Sequence, residues 1–240
     1  LITARTLLEQ AERDCALGDR YKATAGLIVL QDAVELVFYA ALVEKGVDEV
    51  TAVEKLEFDQ MIGSLGKAGI KAQAMSARTL PTVIANRRTH LIDGTPVDLG
   101  FVGDVLRVDP SAVLELLDQG IVPVVAPVSS DEDMKTGLNV NADFAAAAIA
   151  ASLEASALIV MTDVAGIYRN WPDKSSLIAS ISALELESIK FGFAEGMAPK
   201  VQAALDALSF GAKAVRIIDG TDPDSFASAL AGTGGTLVVA

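Results

Sequence analysis

The chain predicts an α/β protein in which a mainly parallel sheet is sandwiched by helices, preceded by a helical N-terminal segment. Short continuous apolar runs, such as Val122-Pro123-Val124-Val125-Ala126 and Ala157-Leu158-Ile159-Val160-Met161, are each followed by polar turn residues. That is the pattern of strands buried on both faces of a sheet. Helical patterns fall between the runs, and such alternation makes a layered α/β domain. Residues before about 70 carry helical periodicity with little strand signal, so residues 1–72 are read as a helical segment and 73–240 as the α/β domain.

In chain order, Leu27, Leu30, Val34, Val37, Phe38 and Ala41 form one apolar face on a helix from Arg20 to Lys45. Gly46 stands where a C-cap belongs. Shorter helices are expected at Thr6 to Ala16 and Phe58 to Lys67, their apolar stripes packing on one another or on the next domain. Val83-Ile84-Ala85 and Thr89 to Ile92, followed by Asp93-Gly94, carry hairpin chemistry. Further runs at Ala214 to Ile218 and Thr236 to Val239 complete the strands. Helices are expected at Ser111 to Leu117, Asp143 to Leu153, Ala183 to Ile189, Pro199 to Leu208 and Asp224 to Leu230. Ligands in such folds bind beyond the carboxyl ends of the strands, which directs attention to the loops after each run.

Composition narrows the chemistry. With 51% hydrophobic and 21% charged residues the chain folds rather than remaining disordered. Nineteen basic against 32 acidic residues give a net charge of -13, which repels nucleic acid and anionic lipid. Isolated cations in glycine-rich loops therefore become informative for an anionic ligand. One cysteine, Cys15, excludes an internal disulfide framework and a multi-cysteine zinc site, and His90 is the only histidine, so no metal site is expected. No run approaches the roughly 20 apolar residues of a membrane span, and the first residues lack a signal-peptide layout. A cytoplasmic protein acting on a small molecule is expected, with no nucleic-acid or membrane partner. No Gly-x-x-x-x-Gly-Lys-Ser/Thr motif occurs, which excludes a P-loop.

Leu138-Asn139-Val140-Asn141-Ala142-Asp143 runs directly into an alanine-rich helix. Capping explains one of its three polar groups, and helix starts also collect anions. Gly196-Met197-Ala198-Pro199-Lys200 puts proline at a helix start and a lysine in its first turn. The helix dipole disfavours a cation there by about 0.3–1 kcal/mol, and an anion beside it reverses the sign. Lys200 is thus a candidate phosphate contact. Thr162-Asp163-Val164-Ala165-Gly166 and Asp219-Gly220 close two strands where nucleotides commonly lie. Gly232-Thr233-Gly234-Gly235-Thr236 reads as a tight turn before the last strand.

Taken in order, Pro96 to Asp104, Ile121 to Val128, Leu138 to Asp143, Thr162 to Ile167, Gly196 to Lys200, Ile218-Asp219-Gly220 and Gly235-Thr236 resemble the amino-acid kinase family. The resemblance is closest to its members that phosphorylate N-acetyl-L-glutamate in arginine biosynthesis. It implies ATP-dependent phosphorylation of that compound's γ-carboxylate, with Mg2+ carried by the nucleotide. It implies Lys200 and Asp143 as catalytic residues, Asn139 and Asn141 at the acyl substrate, and Thr162, Asp163, Gly166, Tyr168, Gly196 and Met197 at the nucleotide. The helix holding Ala33 to Val37 resembles the family's dimer helix, which implies a homo-oligomer through the N-terminal helices. The family's two N-terminal glycine-rich loops have no counterpart, since residues 1–80 contain no adjacent glycines. Residues 1–72 accordingly read as a truncated or divergent kinase part or as a foreign segment. The expected activity is impaired in that case; the alternative is a noncatalytic nucleotide-binding or scaffold protein.

Overall fold

The computed structural model describes residues 50–67, 69–76, 79–92, 95–193 and 196–240. The helices expected at Thr6 to Ala16 and Arg20 to Lys45, with Cys15 and Gly46, lie outside these residues. The chain divides into two units, Leu1–Gly69 with Thr221–Pro223, and Ile70–Gly220 with Asp224–Ala240.

In the first unit the described helix is α1 (Val50–Lys67). It starts eight residues before the Phe58 at which periodicity becomes legible. Gly69, at φ +79°, donates its amide to Gly66 O at 3.0 Å and turns the chain out of the helix.

The second unit opens with β1 (Ala72–Met75), then β2 (Val83–Ile92) and β3 (Thr95–Val108). These last two pair antiparallel up to Ile92↔Thr95, as the Asp93-Gly94 turn signal predicts, although residues 93 and 94 lie outside the described set. After α2 (Ser111–Asp118) come β4 (Val122–Val125), β5 (Val128–Ser130) and β6 (Gly137–Asn139). Strands β1 and β4 pair in parallel, while β2, β3, β6 and β5 close into a ring.

The remaining elements are α3 (Ala142–Ser152), β7 (Leu158–Thr162), β8 (Ser180–Ser182), α4 (Ala183–Ile189), α5 (Ala198–Ser209), β9 (Ala214–Asp219), α6 (Pro223–Leu230) and β10 (Thr236–Val239). They form a sheet in the order β7-β9-β10-β8. The β7–β9 and β10–β8 pairings are parallel, as is β1–β4, but β10 runs antiparallel to β9. The sheet is thus mainly parallel, with one reversal where apolar runs alone suggest none. Between α6 and β10 lies the Gly232–Gly235 turn, in which Gly232, Gly234 and Gly235 all take positive φ, and β10 then pairs with β9 from Thr236↔Ile217 to Val239↔Ala214.

Among the described residues the largest core lies on this sheet. Val160, Val215, Ile217 and Val238 from the strands meet Ala147 and Ala150 of α3 and Val201, Ala203, Ala204 and Ala207 of α5. Alanine faces let the two helices pack closely, which brings the first turns of α3 and α5 together. Among the described residues no helix is long and apolar enough to cross a membrane.

Candidate functional site

The polar residues of Leu138 to Asp143 owe their spacing to a strand that becomes a helix. Along β6 and beyond it, Leu138 and Val140 are buried against Val83, Ala85 and Ala145, while Asn139 and Asn141 between them are exposed. Asn139 is registered against Val102 of β3 on one side and Val128 of β5 on the other. Asn141 is the N-cap of α3, its Oδ1 accepting from Phe144 N at 3.2 Å. That oxygen is committed to the cap, which leaves Asn139 and Asp143 as the groups with no capping duty. Asp143 then stands in the first turn of α3, where a negative charge complements the helix dipole.

Lys200 lies in the first turn of α5. Met197 is the N-cap and offers no side-chain cap, and proline follows in the first turn. Lys200 Nζ reaches both Asp143 Oδ1 and Oδ2 at 3.1 Å, across 57 residues of sequence. Each side chain is about four-fifths buried, at 21% and 20% exposure. The anion that lysine requires at a helix start is therefore supplied in part by the protein itself. Two helix starts, an ammonium and one carboxylate converge, and the carboxylate fixes the direction of the ammonium.

The other candidates lie along the loop after β7. Thr162 ends the strand, with its hydroxyl to Asp163 Oδ1 at 3.1 Å and its carbonyl accepting from Gly220 N at 2.7 Å. Gly220 thereby joins the end of β9 to the end of β7. Gly166, at φ +155°, packs against Thr236, and a Cβ there would stand 2.6 Å from Thr236 Oγ1. Tyr168 bridges to Leu177, and its ring meets Trp171 edge-on with centroids 5.2 Å apart. Asp173 caps the following short helix, and hydrogen bonds from the Ser175 hydroxyl and amide hold its carboxyl below the usual carboxylate range. Gly196 and Met197 sit at the entrance to α5, with Glu195 outside the described residues. Among the described residues no group of three His, Cys, Asp or Glu side chains converges as metal ligands would.

Two residues stand inside stretches singled out in the sequence, yet no role for their side chains was read there. Arg216 is 8% exposed in the apolar run of β9, and its guanidinium donates to the carbonyls of Gly232 and Gly234. The signal available was the charge itself, because a buried cation requires partners. Thr236, quoted with Gly235 among the stretches that carry the family resemblance but given no role there, is wholly buried.

Fold and site define a layered α/β protein with an ion-paired lysine at a helix start and polar loops beyond parallel strands. Residues 4–219 match the amino acid kinase family, and the chain belongs to that family. Over 165 residues it is 47% identical to an acetylglutamate kinase of Beutenbergia cavernae, covering 68% of this chain and 53% of that protein. The chain spans about half the length of the curated relatives it matches. Among solved structures, N-acetylglutamate synthase from Neisseria gonorrhoeae, complexed with coenzyme A and N-acetyl-glutamate, superposes with a TM-score of 0.65. It is 26% identical, over 80% of this chain and 44% of that one. Carbamate kinase from Giardia lamblia bound to AMP-PNP shares the fold at a TM-score of 0.57 and 15% identity, over 99% of this chain and 80% of that one.

Proposed function

We propose that the chain carries the phosphoryl-transfer site of an enzyme that uses ATP to phosphorylate the γ-carboxylate of N-acetyl-L-glutamate, a step of arginine biosynthesis. The observation that carries this reading is the Lys200–Asp143 pair at the starts of α3 and α5. Phosphoryl transfer depends on positioning and charge neutralisation more than on covalent chemistry by the protein. Lys200 neutralises charge on the transferring group, and Asp143 holds the ammonium in place. The first turn of α5, with no side-chain cap, offers backbone amides to the same anion. Asn139, exposed between β3 and β5, hydrogen-bonds the acyl substrate.

The loop from Thr162 to Tyr168, with Gly196 and Met197, suits a nucleotide, since it follows a parallel strand and leaves Asp163 and Gly196 exposed. The nucleotide supplies the phosphoryl group and brings Mg2+ on its phosphates. Side-chain ligands for that ion are not required of the chain.

Acyl-phosphate product is trapped by hydroxylamine, so a hydroxamate assay with ATP, Mg2+ and N-acetyl-L-glutamate measures the reaction directly. Lys200→Ala should lower the rate by about 100-fold or more, the scale of losing one charge-stabilising donor. Pure, folded protein that yields no product would sink the proposal.

A further inference from the structure

We infer that Thr236 is a positioning residue that latches the β7 loop, and with it the nucleotide contacts, to the C-terminal strand. Its hydroxyl is fully buried and doubly engaged, accepting from Ile167 N at 2.8 Å and donating to Ile178 O at 2.6 Å. The two partners stand on opposite sides of the excursion that holds Tyr168, Trp171 and the Asp173-capped turn, and Ile178 N also donates to Ile167 O at 2.8 Å. One hydroxyl thus closes the base of that excursion from below.

The latch is itself held. Arg216 grips the Gly232 and Gly234 carbonyls, and Gly235, at φ +64°, packs against Ile217 O so closely that no side chain fits. Thr236 is therefore delivered at a set height under Gly166, whose missing Cβ leaves room for the hydroxyl. Valine has the same shape without the hydroxyl, and it would leave a buried N–H and a buried carbonyl without this partner. Serine keeps the hydroxyl.

The inference rests on the nucleotide reading of Thr162 to Tyr168, so binding and loop order are measured separately. In calorimetric titration of the full chain with ATP, Thr236→Val should weaken the dissociation constant about tenfold, the equivalent of one lost hydrogen bond, while Thr236→Ser stays within about twofold. Loop order is read without nucleotide, from the emission of Trp171, the only tryptophan, and from exchange of the Ile167 amide. Trp171 is 59% exposed, so its mobility is the readout: Thr236→Val should lower the anisotropy of the emission and speed that exchange at least about tenfold, with serine restoring both. Folded Thr236→Val that binds ATP as tightly as the unaltered chain overturns the inference. If the unaltered chain binds no ATP, the nucleotide reading fails by itself. The latch then stands on the emission and exchange changes, and is overturned if neither moves. If Thr236→Val does not fold, exchange in the unaltered chain decides: an Ile167 amide as fast as those around Trp171 overturns the latch, and one at least about tenfold slower supports it.

Discussion

Asp143 and Lys200 each occupy a helix first turn, yet their situations differ. The carboxylate complements the dipole of α3, whereas the ammonium opposes that of α5 and is held there by Asp143. Removing the carboxylate charge should therefore cost stability as well as turnover. For Asp143→Asn we expect a loss of about 1–2 kcal/mol, less than a fully buried pair because a fifth of each side chain remains exposed. In a chain of this size that lowers the melting temperature by about 2–8 °C, and a calorimetric scan will measure it. An unchanged scan would mean that Lys200 is satisfied without Asp143. Each helix start was legible, since Asn141 is a cap followed by alanines and Pro199 marks the first turn of α5. That the two side chains meet was not, because no local pattern spans 57 residues.

Among elements, the helices of the second unit were legible, while α1 was recognised only in its second half and β3 carries no continuous apolar run that announces it. Helix α4 falls on the residues its pattern predicts, and α2, α3, α5 and α6 within one residue at each end. Strands β5, β6 and β8 have three residues each, too few for alternation to register. The Gly232–Gly235 turn read correctly as a turn, but its grip on β9 is tertiary. Gly235→Ala should be destabilising by more than about 2 kcal/mol, since it combines left-handed backbone strain with a collision against Ile217 O. Urea denaturation will show a lowered midpoint. The Asp131 to Thr136 loop gives a pH signature. Backbone hydrogen bonds from Lys135 and Thr136 hold the Asp131 carboxyl below its ordinary value. A carboxyl lowered by folding stabilises above its unfolded pKa, and that contribution is lost as pH falls through the folded value. The stability difference between the unaltered chain and Asp131→Asn should accordingly be present at about pH 6 and shrink as the pH is taken below the ordinary carboxylate range.

For the whole molecule, a net charge of -13 opposes an anionic ligand, and the convergence of Lys200 with two helix starts is a local exception to that field. If the site takes ATP, nucleotide at 100 times its dissociation constant should stabilise the chain by about 2.7 kcal/mol, read as a rise in melting temperature. A rise without hydroxamate product would favour the noncatalytic nucleotide-binding reading, and no rise at millimolar ATP would leave a structural role. The sequence alone determined the α/β class, the order of the second unit's helices and of its continuous apolar strands, the acidic balance and the residues that crowd two helix starts. These follow from periodicity, capping and composition, which act over a few residues at a time. The tertiary structure decided that β10 reverses beside β9, that Lys200 is paired with Asp143, and that Arg216 and Thr236 hold the glycine turn and the β7 loop. Each depends on groups far apart in the chain being buried together, where a cation or a hydroxyl must find its partner across the core.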